Sequence, residues 1–216
     1  MYEKIKFEAQ KNSATLVVVS KTRSVEEIMK IYDRGHRDFG ENRVQELMDK
    51  KNELPQDIKW HLIGHLQTNK VKYIAPFIEL IHSIDRKKLW KELHKEALKA
   101  DRTIDGLLQI KIAEEDSKYG FSQEDVIRLL DQSAVSTYDK VNIRGLMGMA
   151  TFTDDTSQIQ REFDELAKLF NQLKSAYFSE KDDFDTLSMG MSGDYNIALE
   201  RGSTMLRVGS AIFEEG

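Results

Sequence analysis

The sequence contains no cysteine and only two prolines, Pro55 and Pro76. Without a thiol there is no disulfide framework, no thiolate nucleophile and no cysteine-ligated metal. No apolar run approaches the ~20 residues that a membrane-spanning helix needs. The opening stretch MYEKIKFEAQ is charged throughout and has no apolar signal-peptide core, so a cytoplasmic location is expected. An excess of one charge is lacking too: Lys plus Arg number 32 against 37 for Asp plus Glu, a formal net charge of −5. Such a mildly acidic chain carries no electrostatic footprint for nucleic acid. The basic cluster Arg86-Lys87-Lys88 sits among acidic residues and reads as a solvated helix face. No Gly/Ser-rich linker divides the chain, and 40% of its 216 residues are hydrophobic. One core is expected, in a single domain over residues 1–216.

What is present is alternation. Strand-like runs fall at 15–20 (TLVVVS), 37–40, 59–64, 79–83, 104–112, 141–149, 184–190 and 204–210. Between them lie polar segments with helical periodicity, as in SQIQREFDELAKLFNQL, where Ile159, Phe163, Leu166, Phe170 and Leu173 recur at spacings of three and four. Eight β/α units in this length predict a (β/α)₈ TIM barrel of near-minimal size. An open doubly wound sheet is the rival.

Polar and glycine residues follow each predicted strand: Ser20-Lys21, Gly40-Glu41-Asn42, Gly64-His65, His82-Ser83, Asp116-Ser117-Lys118, Met149-Ala150-Thr151, Ser192-Gly193-Asp194 and Gly209-Ser210. The C-terminal ends of barrel strands are where such folds build sites. Ser192 and Gly193 sit at one strand-to-helix turn, and Gly209 and Ser210 at the next. Glycine lets a backbone approach a phosphate, serine adds a hydroxyl donor, and a helix start favours an anion. Helix capping and simple chain reversal explain the same residues one at a time. Both turns together, after the last two strands, point to phosphate.

Arg207 in MLRVG alternates with Leu206 and Val208, so it faces the barrel interior if those two meet the outer helices. A buried guanidinium needs a partner, either a buried carboxylate or a polar ligand atom. Lys21 follows the buried run Val17–Val19. Partly desolvated at the mouth of that strand, it would be available as a neutral amine for a Schiff base; the alternative is an ordinary solvated lysine. A phosphate cradle, an inward arginine and an amine on one rim match pyridoxal 5′-phosphate in its phosphate, pyridine nitrogen and aldehyde.

His61 and His65 have the spacing of helical zinc ligands. On a strand they lie roughly 13 Å apart, at about 3.3 Å per residue, and no metal site is expected. Neither GxGxxG nor GxxxxGK[ST] occurs. Met147, Met149, Met189 and Met191 read as barrel filling, with Met149 and Met191 near the rim.

The stretches VVVSKT, FGENRVQE, WHLIGHLQTNK, IHSID, SKYGF, IRGLMGMA and LSMGMSGDYNIALERGSTMLRVGSAIF resemble the pyridoxal phosphate homeostasis protein family. They run from about residue 15 to the C-terminus. That family is similar in turn to the barrel domain of alanine racemases, fold-type III of pyridoxal phosphate proteins. The resemblance implies that Lys21 is the Schiff-base lysine. It also implies that Ser192, Gly193, Gly209 and Ser210 contact phosphate and that Arg207 meets the pyridine nitrogen. Asn42, Ser83 and Met149 match positions lining the cofactor. Two departures stand out: a segment before the first strand that is shorter than the family's opening helix, and Glu214 where glycine commonly follows AIF.

The implied function is binding and buffering of pyridoxal phosphate, with apo forms of pyridoxal phosphate enzymes as expected recipients and a monomer as the expected state. An amino-acid racemase is the alternative. A Schiff-base aldolase is a third reading, but it leaves Arg207 unexplained. Arginine keeps the ring nitrogen unprotonated and weakens the ring as an electron sink, which racemases tolerate. Two-base racemisation also needs an acid/base on the face opposite the lysine, supplied in alanine racemase by a further domain of a partner subunit. With the sequence ending at Gly216, no such domain is expected. His82 and Tyr195 would be the first candidates for that second base. Lys118, in EEDSKYGF, is a second rim amine, either a transient acceptor of the aldehyde or a solvated lysine pairing with Glu115 or Asp116.

Overall fold

Branched side chains at Val17, Val18 and Val19 pack on both faces of the first strand, β1 (Thr15–Val19). In the computed structural model, which describes residues 1–114 and 119–213, seven further strands follow. They are β2 (Asp38–Glu41), β3 (Lys59–Leu62), β4 (Leu80–Ile84), β5 (Ile104–Gln109), β6 (Val141–Met147), β7 (Thr186–Ser188) and β8 (Met205–Val208). Neighbours pair in parallel, and β1 pairs with β8, so the sheet closes in sequence order. The fold is a (β/α)₈ barrel, and the open sheet is excluded. Several strands are shorter than the hydrophobic runs that announce them. β7 stops at Ser188, and Gly190, the last residue of its run, has a left-handed φ of +96°. The expectations attached to Lys118 and Glu214, like Glu115 and Asp116, lie outside the described residues.

The helices are α1 (Tyr2–Lys11), α2 (Val25–Tyr32), α3 (Val44–Glu53), α4 (Val71–Ile74), α5 (Lys87–Lys99), α6 (Gln123–Asp131), α7 (Ala134–Thr137), α8 (Thr156–Tyr177), α9 (Tyr195–Glu200) and α10 (Ser210–Phe213). Among the described residues no helix is long and apolar enough to cross a membrane. The short opening segment does form a helix. In α1, Tyr2, Ile5 and Ala9 share one buried face, and Tyr2 packs edge-on against His36. Ser24 and Glu27 start α2 with a reciprocal capping box. On α8 the buried apolar positions are Ile159, Phe163, Leu166, Leu169 and Leu173, with Glu162 buried beside them. Phe170 instead lies at the edge of that stripe, stacked on Phe184 with centroids 5.0 Å apart. Arg86 is not a solvated residue: it donates to the Leu66 carbonyl at 2.7 Å and to Asp85. Lys87 and Lys88 are exposed.

Strand alternation sorts side chains into two cores. Leu16, Val18, Leu206 and Val208 face outward into the large layer shared with the helices. Val17, Leu80, Leu107, Met147 and Met205 fill the barrel interior, with Met149 packed against them. Met189 belongs to the outer layer, not the interior, because it leaves β7 on the same side as Leu187.

The register breaks once between β5 and β6, where Gly106 pairs with Ile143 but Leu107 pairs with Gly145. The skipped residue, Arg144, forms the bulge and donates to Asp105 Oδ2 at 3.0 Å and to the Asp183 carbonyl at 2.7 Å. Gly145 has φ +150°, and a Cβ there would stand 1.8 Å from the Thr186 carbonyl oxygen. Only glycine lets β7 approach β6 this closely. Gly35 also has a left-handed φ, +84°, but faces open space. Gly145→Ala should therefore destabilise by more than about 3 kcal/mol, whereas Gly35→Ala should cost only about 1 kcal/mol of left-handed strain. Urea unfolding of the two variants measures the difference. Equal losses would show that the β6–β7 approach does not constrain the barrel.

Candidate functional site

At the C-terminal ends of the strands lies a cavity of about 730 Å³. Lys21, Asn42, Met149, Ser192, Gly193, Arg207, Gly209 and Ser210 all line it. Residues from five different strand ends thus meet in one space. Ser83 does not line it. Its side chain is buried on β4, and its hydroxyl donates to the Gly64 carbonyl at 2.6 Å. A Cβ on Gly64 would stand 2.3 Å from the Asn42 carbonyl oxygen, so Ser83 acts one layer back, holding the turn that packs against Asn42.

The loops after β7 and β8 form one wall. Ser210 Oγ donates to Ser192 Oγ at 3.0 Å, and the Ala211 amide donates to the same oxygen at 3.3 Å. Asp194 Oδ1 accepts from the Met191 amide at 2.5 Å, which closes the turn that presents Ser192 and Gly193. The two glycines serve different ends. A Cβ at Gly209 would lie 2.8 Å from the Val19 carbonyl, so this glycine permits close passage beside β1. At Gly193 nothing lies within 4 Å of a Cβ, and its missing side chain leaves the cavity open beside a backbone amide.

Arg207 enters from below, 3% exposed. Its terminal nitrogens donate to Ser188 Oγ at 2.5 Å and to the Gly148 carbonyl at 3.0 Å. Burial pushes the guanidinium down to about 10, against the opposing charge of Asp194, so it stays cationic at neutral pH. The bonds go to neutral oxygens, a pattern suited to a cation that faces a further acceptor.

Lys21 differs from expectation in one respect: it is exposed, not partly desolvated. It stands at the apex of a turn, past the last strand residue, so its stem projects over the cavity mouth. The backbone beneath it is held tightly. Ser20 Oγ donates to Glu41 Oε1 at 2.6 Å. Lys50 Nζ donates to the Ser20 carbonyl, Glu41 Oε1 and Glu46 Oε1, each at 2.7 Å. Glu46 Oε1 also accepts from the Thr22 amide at 2.5 Å. Burial raises the Glu41 carboxyl, against the lowering effect of Lys50 and Ser20. Thr22 has a left-handed φ of +63°, a conformation that threonine adopts only under constraint.

Sequence reasoning missed this Glu41–Lys50–Glu46 cluster. Its only signal is Glu46 and Lys50 at i, i+4 on α3, a spacing common to solvated helices. His65 and Tyr119 were missed too. They stack at the mouth with centroids 4.2 Å apart, and Asp85 accepts from His65 Nδ1 at 2.7 Å. His82 and Tyr195 do not reach the cavity: His82 is buried inside the barrel and Tyr195 in the outer core. Among the described residues no cluster of three metal-ligating side chains occurs.

Comparison with known proteins places this geometry. Residues 2–215 match the family described as alanine racemase, N-terminal domain. A pyridoxal phosphate homeostasis protein of Pasteurella multocida is 38% identical over 205 residues, covering 94% of this chain and 86% of that protein. The solved structure of PipY from Synechococcus elongatus with PLP bound is 34% identical, with a TM-score of 0.83 over 93% of this chain and 92% of that one. Alanine racemase from Bartonella henselae shares the fold at 15% identity, with a TM-score of 0.74 over 96% of this chain and 56% of that one. With a relative this similar over nearly its full length, the chain belongs to the pyridoxal phosphate homeostasis protein family, within the wider group built on the alanine racemase N-terminal domain.

Proposed function

We propose that this protein binds pyridoxal 5′-phosphate in the rim cavity and holds it for cofactor homeostasis, with residues 1–216 acting as one binding unit. The observation that carries the reading is the convergence of Lys21, Arg207 and the Ser192–Ser210 pair on one cavity. The residues fit the cofactor's three poles. Ser192 and Ser210, with the backbone at Gly193 and Gly209, hold the phosphate. Arg207 donates to the pyridine nitrogen and, being cationic, keeps that nitrogen unprotonated. Asn42 and Met149 border the ring. When bound, the cofactor supplies an aldehyde carbon that a neutral amine attacks to form a C=N bond with loss of water. Lys21 provides that amine, and its exposure lets solvent carry protons to and from Nζ. The homeostasis role of the relatives and the PLP-bound PipY structure support the assignment. Apo pyridoxal phosphate enzymes are the partners proposed to receive the cofactor.

Holding rather than turnover is favoured because the groups first considered for a second acid/base do not serve the cavity. His82 is buried inside the barrel and Tyr195 in the outer core, and neither lines the cavity.

Borohydride treatment of the loaded protein should bleach its visible band and leave a cofactor-sized adduct on Lys21. Peptide mapping that finds the adduct only on another lysine would overturn the role of Lys21. Ser192→Ala and Ser210→Ala should each weaken pyridoxal phosphate binding roughly tenfold, the effect of about 1.5 kcal/mol for a hydrogen bond to a charged group. Binding of pyridoxal, which lacks the phosphate, should be unchanged in spectral titration; equal losses for both ligands would remove the phosphate from this wall. With alanine in heavy water, α-proton exchange should stay below enzymatic rates by the ~10²–10⁴-fold that a positioned acid/base contributes. Rapid turnover of both enantiomers would establish the racemase reading instead.

A further inference from the structure

Five side chains line up through the middle of the barrel, one each from β2, β3, β4, β7 and β8. Arg207 donates to Ser188 Oγ at 2.5 Å, and Ser188 Oγ lies 3.0 Å from His82 Nδ1. His82 Nε2 lies 3.0 Å from His61 Nδ1, and His61 Nε2 lies 3.2 Å from Asp38 Oδ1. Ser188 and His82 are completely buried, and His61 is 2% exposed. Val17, Leu80, Leu107, Met147 and Met205 pack in the interior around them. Arg207 faces the rim cavity, while Asp38 opens β2 at the opposite end of the barrel.

The hydrogens along this line follow from its two ends. Burial works to raise the Asp38 carboxyl, but the hydrogen bond from His61, with Lys59 and His36 nearby, outweighs it and holds the group below its usual value. Asp38 is therefore an acceptor only, and His61 Nε2 carries a hydrogen toward it. At the other end Arg207 can only donate, so Ser188 accepts from it and turns its own hydrogen toward His82 Nδ1; His82 then donates from Nε2 and His61 Nδ1 accepts. His82 is held neutral by burial and by the facing charge of Arg207, so its Nδ1 accepts in turn. Every bond runs the same way, from guanidinium to carboxylate. A single sense of polarisation strengthens each link in a low-dielectric interior.

We infer that Asp38, His61, His82 and Ser188 form a positioning relay that orients Arg207 from the far end of the barrel and tunes the charge presented to the ring of the bound ligand. This rests on the reading that the cavity takes pyridoxal phosphate. A barrel filled only with aliphatic side chains would need no buried imidazoles, whose desolvation is costly unless every nitrogen is paired. Here each nitrogen of both rings has a partner. Asp38 does not line the cavity, so any effect it exerts on the bound ligand must travel along this line or through the field it carries. Asp194, which faces Arg207 from the loop after β7, acts on the guanidinium directly and independently of the relay.

Two measurements test this. Ring-nitrogen NMR spectra of the apoprotein at neutral pH should show hydrogen on Nε2 and a bare, accepting Nδ1 in both His61 and His82. Hydrogen on Nδ1 of either ring would reverse the chain and overturn the relay. In the loaded protein, Asp38→Asn keeps the shape and removes the charge; it should shift the visible band and weaken cofactor binding roughly threefold to tenfold. Asp57→Asn, at an exposed ion pair with Arg37, should change neither. An unshifted band and unchanged affinity in Asp38→Asn would sink the proposal. Should that variant be too unstable to load, Ser188→Thr, which keeps the hydroxyl, and Ser188→Ala, which removes it, form the second comparison. Only the alanine variant should shift the band, and identical behaviour of the two would also overturn the relay. A wild-type protein that shows no cofactor band at all would remove the pyridoxal phosphate reading and leave the tautomer result standing by itself.

Discussion

A guanidinium sealed inside an apolar barrel is the constraint to which much of this structure answers. Taking a cation out of water costs several kcal/mol even after relaxation, and the cost is met only by well-placed acceptors. Arg207 finds them on three consecutive segments: the Gly148 carbonyl past β6, Ser188 on β7 and the Asp194 charge in the following loop. Those acceptors are in place because β6 and β7 run close together, with Met147 opposite Ser188 and the Gly148 amide donating to the Ser188 carbonyl at 3.1 Å. The close approach depends in turn on Gly145 and on the bulge at Arg144. One backbone irregularity low in the barrel thus sets the register that solvates a charge near its top.

A second buried charge organises the opposite wall. Lys50 reaches inward from α3 and meets Glu41, Glu46 and the Ser20 carbonyl. Its side chain is 9% exposed and that of Glu41 is fully buried, so this pair is poorly screened by solvent, unlike the exposed ion pairs on the helices. Removing Lys50 leaves the buried Glu41 carboxyl without its cation directly beneath the Lys21 turn. Both walls of the cavity therefore rest on buried ionic groups, Arg207 facing the cavity and Lys50 lying behind its wall.

Much of this was legible in the sequence, and the exceptions have physical causes. Strand alternation was enough to turn Arg207 inward, because Leu206 and Val208 leave it only one face. The glycine and serine pairs after the last two strands announced the wall that carries Ser192 and Ser210. Ser83 was misplaced because a strand-end serine looks the same whether it lines a cavity or ties down the neighbouring turn. Met189 was assigned inward because periodicity cannot tell the two faces of a buried parallel strand apart when both are apolar. Lys50 and the His61–His82 pair were out of reach for another reason. Their partners lie on separate elements, and nothing in a single sequence records which side chains meet across a closed barrel.

The Lys21 turn joins a fixed backbone to a loose side chain. Ser20 and Thr22 are clamped on either side, while the butyl stem between them lies in solvent. The backbone of this turn is already fixed, so the entropy that Lys21 would lose in the proposed capture is confined to the rotamers of its own side chain. In the proposed role, entry and departure of the ligand are then limited by bond formation and hydrolysis at Nζ rather than by a conformational gate. That arrangement suits a carrier more than a catalyst: a catalyst gains by sequestering its ligand from water, whereas a reservoir must let water return to release it.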